Sequence, residues 1–214
     1  FPTRRSSDLN AGAVVGLTDD ASSVFWNPAG LAKVKSFQAH FSYMNWFDLF
    51  DFNTLSIAFN TGDAGVFAAS MIVFNTGEME ITTEEEPNGT GRFFDAQDLS
   101  VGVSYSRFLT DRFSAGVTLK YVYQRIWNEV ADGFAFDIGT QYRLDFQNLT
   151  IAMSMSNFGG DLQHDGPDLN IVYDKDTNYP LSRLTPAKLQ TNGYPLPLNF
   201  QVGIGFDIYQ ADSV

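Results

Sequence analysis

Cysteine is absent from the 214 residues, so no disulfide framework, thiolate metal site or thiol nucleophile is available. Histidine occurs twice, at His40 and His164, which leaves little imidazole for acid–base work. Charge is sparse as well. Charged residues make up 18% of the chain, and 25 acidic side chains outweigh 13 basic ones. The formal charge of -12 argues against a nucleic-acid partner, whose phosphates require a basic surface. No apolar run approaches the ~20 residues of a membrane-spanning helix. The longest, Val66 to Phe74, is interrupted by Ser70. A helical span is thereby excluded. A β-barrel is not, because its alternating faces give only a weak signal per segment.

Aromatic and small residues are plentiful: 20 Phe, 9 Tyr, 3 Trp and 18 Gly. They recur with a period of two, the mark of a strand with two different faces. Eight such segments are predicted. The first runs from about Val34 to Asn45, with Phe37, Ala39, Phe41 and Tyr43 opposite Gln38, His40 and Ser42. The second opposes Leu55, Ile57 and Phe59 to Ser56, Ala58 and Asn60. The third, about Gly65 to Phe74, is apolar on both faces and is expected to pack its inner side against the N-terminal segment. The fourth carries Val101, Val103 and Tyr105, and the fifth Phe113 to Gln124. The sixth carries Phe134, Phe136, Ile138 and Tyr142, the seventh Leu149, Ile151, Met153 and Met155, and the eighth Phe200 to Ile208. Short connections are expected after strands two, four and six and longer ones after one, three, five and seven, as in outer-membrane barrels.

A soluble sandwich would also alternate, but its polar face would meet water and carry Lys, Glu and Thr. Here that face is mostly Gly, Ser, Ala, Thr, Asn and Gln, while the opposite face is bulky and aromatic. Small residues suit a crowded lumen, and the bulky face suits lipid. The reading is an all-β, antiparallel transmembrane β-barrel, partial, with about eight strands and a short N-terminal helical segment.

Before the first strand lies Asp19-Asp20-Ala21-Ser22-Ser23-Val24-Phe25-Trp26-Asn27-Pro28-Ala29-Gly30-Leu31-Ala32. Asp19 or Asp20 can cap a short helix over Ala21 to Phe25. Pro28 should end it and push Asn27 out of the helical region. Gly30 should allow a sharp turn into strand one. Spacing alone favours an ordinary amphipathic helix and turn packed on a sheet.

This motif, followed by a run of strands, resembles the N-terminal segment of the PorV/PorQ family, within the wider FadL-like group of outer-membrane β-barrels. The local likeness covers about residues 10 to 34. It implies that Asp19, Asp20, Asn27, Pro28, Ala29 and Gly30 lie in a short N-terminal helical hatch tucked into a barrel of about fourteen strands, of which these eight are a part. It also implies a cell outer membrane of a Gram-negative bacterium, with outer-membrane lipid as the surrounding partner. Secreted cargo proteins and secretion-system components of the type IX system are the implied protein partners. The alternative is a FadL-like channel for a hydrophobic small molecule such as a long-chain fatty acid, with the hatch as gate. The organisation expected is an adapter-like non-native segment at 1–9, a hatch at 10–33 and a partial barrel at 34–214. Both ends read as open, the chain being a fragment.

No catalytic residues, metal ligands or cofactors are predicted. His40 reads as a lumen hydrogen-bonding residue. His164 sits among Asp161, Asp165 and Asp168 in what reads as a solvated acidic loop. Asp174-Lys175-Asp176-Thr177-Asn178 lacks the Gly and terminal Glu of a calcium loop. Gly203-Ile204-Gly205 lies within a strand and is not followed by a helix, so it is no dinucleotide fingerprint. An esterase or protease is disfavoured by the missing nucleophile–base–acid grouping. Lys120 and Asp137, each on the inner face of its strand, are placed to form an ion pair.

Overall fold

The computed structural model describes residues 15–47, 49–146, 149–173 and 185–205. The expected foreign segment at 1–9, the first residues of the hatch, Asp174 to Asn178, and Phe206 and Ile208 of strand eight lie outside these residues.

The chain builds one antiparallel sheet of eight strands in sequence order. They are β1 (Phe37–Trp46), β2 (Phe50–Asn60), β3 (Val66–Thr76), β4 (Ala96–Thr110), β5 (Phe113–Ile126), β6 (Glu129–Arg143), β7 (Thr150–Gly159) and β8 (Asn199–Gly205). Helix is confined to short 3-10 turns. The sheet is open: β1 and β8 are its two edges, so it is not a closed barrel. Among the described residues this sheet has eight strands, as the alternation predicts, and three short two-stranded ladders lie outside it.

The register aligns three rows of outward side chains across β1 to β6. One reads Phe41, Leu55, Met71, Val101, Tyr121, Phe134; the next Ala39, Ile57, Ala69, Val103, Leu119, Phe136; the third Phe37, Phe59, Phe67, Tyr105, Val117, Ile138. The middle row is mostly aliphatic and the flanking rows are richer in rings. Most of these side chains are exposed. The buried apolar residues are small by comparison: Ala21, Val24, Leu31, Val34, Ala58, Val66 and Ala68 form the core cluster. Val66 and Ala68 are the inner side of β3, packed with the N-terminal segment as expected. Over these three rows the sheet has its large apolar groups outside and its small and polar ones inside, the inverse of a water-soluble sheet; an apolar inner patch is confined to the Trp46 end of β1 and the adjoining ends of β2 and β3.

The connections depart from the expected alternation. Those after β2, β4 and β6 are short, and those after β3 and β7 are long. Those after β1 and β5 are tight too, spanning only 47–49 and 127–128. Asn128, Asp132 and Gly133 read as loop formers. Yet β5 and β6 stay paired out to Ile126 and Glu129, with the Tyr121 hydroxyl donating to Asp132 across the strands. Phe47 and Trp127 take the left-handed conformation, at φ 55° and 54°, which lets two bulky residues turn the chain.

Residues 15–34 lie along the inner face and reach both edges of the sheet. At β8, a Cβ on Gly203 would come within 3.2 Å of the Gly16 nitrogen. At β1, Gln38 Oε1 accepts from the Ala21 N–H at 3.0 Å. Laid flat, eight strands span about 34 Å between the outermost two. The five residues from Gly16 to Ala21 reach at most about 18 Å. The sheet must curve around this segment, as a trough around a plug.

Candidate functional site

The segment folds as two short 3-10 helices, Ala21–Phe25 and Pro28–Lys33. Asp20 caps the first, its Oδ1 accepting from the Ser22 N–H at 2.8 Å and the Ser22 hydroxyl at 2.5 Å. Asp19 is exposed and takes no part in the cap; its carboxylate acts on Lys33 through charge alone. Burial pushes the Lys33 ammonium below the ordinary lysine range, against the opposing pull of Asp19. Asn27 leaves the helical region as expected, at φ -152° and ψ 105°. Pro28 then opens a second helix that the sequence does not announce, a position that suits a residue with no N–H to satisfy.

Asn27 is the centre of the joint and is fully buried. Its Oδ1 accepts from the Ala29 N–H at 3.0 Å. Its Nδ2 donates to Val15 O at 3.0 Å and to Thr140 O of β6 at 3.2 Å. One side chain thus caps a helix, ties the segment to itself and bolts it to the sheet. Other bolts follow the same edge-to-edge path. Ser56 of β2 donates to Ala21 O at 2.7 Å, Ser154 of β7 to Trp26 O at 2.9 Å, and Ser106 of β4 to Ala29 O at 3.3 Å. Gln141 of β6 donates to Val15 O at 3.2 Å.

Glycines make room where the backbone arrives. A Cβ on Gly116 of β5 would run into the Pro28 carbonyl, and one on Gly139 of β6 into the Asn27 carboxamide. Gly30 was expected to turn the chain. It sits instead inside the second helix, where a Cβ would lie 2.7 Å from Thr18 O and 2.8 Å from Ser23 Oγ. Its role is close approach.

Asn27, Pro28, Ala29 and Gly30 are thus brought together against β4, β5 and β6, while Asp19 and Asp20 stand apart at the entry. Sequence reasoning missed Gln141, Gly116, Gly139, Ser106 and Ser154 as partners. The available signal was their place on the small-residue face.

Further along the trough, Lys120 Nζ lies 2.8 Å from Asp137 Oδ1, the pair that the strand faces suggest. Asn157 completes it. Its N–H donates to Asp137 Oδ1 at 2.8 Å, and its Oδ1 accepts from Lys120 at 2.6 Å. Asn157 has φ 61° and faces the register shift between Phe136 and Ile138, so the carboxylate holds a β-bulge. Removing one member of a buried pair strands the other. Lys120→Met is therefore expected to cost about 3–5 kcal/mol. Asp137→Asn, which keeps an acceptor for Asn157, should cost less; urea unfolding of the two variants compares them.

The histidines take bland positions. His40 lies 6.4 Å from the Phe25 ring and His164 stacks on Tyr194 at 5.5 Å. The joint offers hydrogen bonds and shape to a docked peptide segment. No protein-family model, curated protein or solved structure matches the chain.

Proposed function

We propose that this chain is an outer-membrane β-barrel of the PorV/PorQ type, non-catalytic and associated with type IX protein secretion and surface attachment of cargo. The observation that carries the membrane part is the inverted sheet. Three contiguous apolar rows face outward, and a buried N-terminal plug is bolted to the polar inner face. Exposed apolar surface on this scale marks a contact with lipid or protein. The unpaired backbones of β1 and β8 cannot remain in hydrocarbon, so further strands close the sheet in the membrane. The secretion role rests on the motif from Asp19 to Ala32. Cargo would meet the loops around Glu84 to Gly91 and between β7 and β8. Affinity capture from native outer membrane tests this. Recovery of secretion components supports it, and their consistent absence under conditions that preserve the barrel sinks it.

One observation favours a second reading, a FadL-like channel for hydrophobic solutes. Met44, Trp46, Phe50, Phe52, Ile72 and Phe74 share the inner parity of β1 to β3, where barrel lumens are usually polar. Phe50 and Phe74 stack at 5.8 Å. Such a wall suits an apolar guest. Uptake of a labelled long-chain compound by cells carrying the protein, with and without Asn27→Ala and Pro28→Ala, distinguishes a gated channel from a closed plug. Unchanged uptake in both variants counts against the gate.

A further inference from the structure

A second part of the chain enters the trough from the opposite end to the N-terminal plug. The connection from β7 to β8 has two described arms, 160–173 and 185–198. They pair with each other as Asp161–Leu162 with Tyr194–Pro195 and Asn170–Tyr173 with Thr185–Lys188. The arms fold back over β5 and β6. Leu162 is fully buried, and its Cδ2 would lie 2.6 Å from a Cβ placed on Gly133 of β6. The Tyr194 hydroxyl donates to Gln124 Oε1 of β5 at 2.7 Å. Val130 and Asp165 exchange backbone hydrogen bonds at 2.8 Å. Asn157 Nδ2 donates to Pro197 O at 3.0 Å.

We propose that these arms are a lid over the polar half of the trough, seated by Leu162 in the Gly133 socket and hinged at Gly160, where β7 ends. Three observations favour a moving part over a fixed cover. The anchorage is one apolar knob and largely exposed hydrogen bonds, which include Asn128 Nδ2 to Asp168 Oδ2 at 3.0 Å and the Asp168 N–H to Glu129 Oε1 at 2.9 Å, the signature of a segment that opens locally. An open cleft of about 500 Å³, lined by His164, Asp165, Leu169, Lys188 and Leu189, lies between the arms. The seated state also leaves Glu129 Oε2 and His164 Nε2 buried without a partner. Water satisfies such atoms once the arms lift, so the closed state gives up part of what its contacts gain. The exit from β7 has room for a hinge: a side chain on Gly160 would meet open space.

The natural absence of cysteine makes the test clean. Ala131→Cys, at a position buried in the closed state, reports beneath the lid. Ala58→Cys, in the cluster beneath the plug, reports away from it. Each full-length, refolded variant is labelled with a water-soluble maleimide. The labelling is repeated with Leu162→Ala, which empties the socket, and with Asn157→Gly, which keeps the left-handed backbone but drops the side-chain contacts. The expected result is a labelling rate at Ala131→Cys at least tenfold higher in one or both, with the Ala58→Cys rate unchanged. Equal rises at both reporters would mean general loosening, and no rise in either variant would mean a fixed cover. Either outcome overturns the proposal.

Discussion

Asn27→Ala is expected to release residues 15–34 from the trough while the sheet survives. The substitution removes the acceptor for the Ala29 N–H and the donor for Val15 O and Thr140 O. Val15 O keeps the Gln141 donor, but the Ala29 N–H loses its acceptor at a cost of about 1–3 kcal/mol, so with the lost tie to β6 the total is on the order of 3 kcal/mol, at the upper end of what single changes produce. Asp19→Ala should do almost nothing, because Asp19 is exposed and acts on Lys33 only at a distance. The two residues belong to one sequence motif, yet the structure assigns them opposite weights. Limited proteolysis reads the difference. Asn27→Ala should open cleavage within 15–34 with β-sheet circular dichroism retained, and Asp19→Ala should stay as resistant as the parent. Equal resistance of all three would remove Asn27 from the centre of the joint.

The second large effect concerns the outer face. Leu119→Arg places a charge in the middle apolar row, between Val103 and Phe136. In a bilayer it should cost about 2–4 kcal/mol. Leu109→Arg lies at the register shift between Phe108 and Thr110, next to the short turn after β4, and should cost about 1 kcal/mol or less at the interface. Denaturant titration of folding into lipid vesicles measures both. A contrary result would be a Leu119→Arg protein that folds as well as the parent, or that gains solubility without lipid. That face would then be meeting water or protein.

The strand faces were legible because period two survives any neighbour: Phe113 to Tyr123 declares its outward side whatever it packs against. The small inner residues were legible as a crowded surface, and Lys120 with Asp137 as a pair on one side of adjacent strands. What covers that surface was not legible. Contacts such as Ser154 with Trp26 O span 128 positions in sequence, and no local pattern encodes them. The tight turns at Phe47 and Trp127 were hidden because aromatic residues do not advertise left-handed backbone. The inward fold of the β7–β8 connection was hidden for a related reason. Its Asp, Asn and Gly content describes the turns it makes, and only the gap at Gly133 shows where Leu162 goes. Gly30 was misjudged because a glycine needed for space and one needed for a turn look identical in sequence.

The inverted sheet is tested most directly by nitroxide labels on single cysteines at successive positions from Val101 to Tyr105, with the protein folded into lipid vesicles. Collision with oxygen, which concentrates in hydrocarbon, is compared with collision with a water-soluble nickel chelate. The expected result is a period of two: Val101, Val103 and Tyr105 reached by oxygen and not by nickel, Gly102 and Ser104 shielded from oxygen. Nickel reaching Val101, Val103 and Tyr105 as freely as it reaches the loop at Gly91 would contradict a lipid-facing surface.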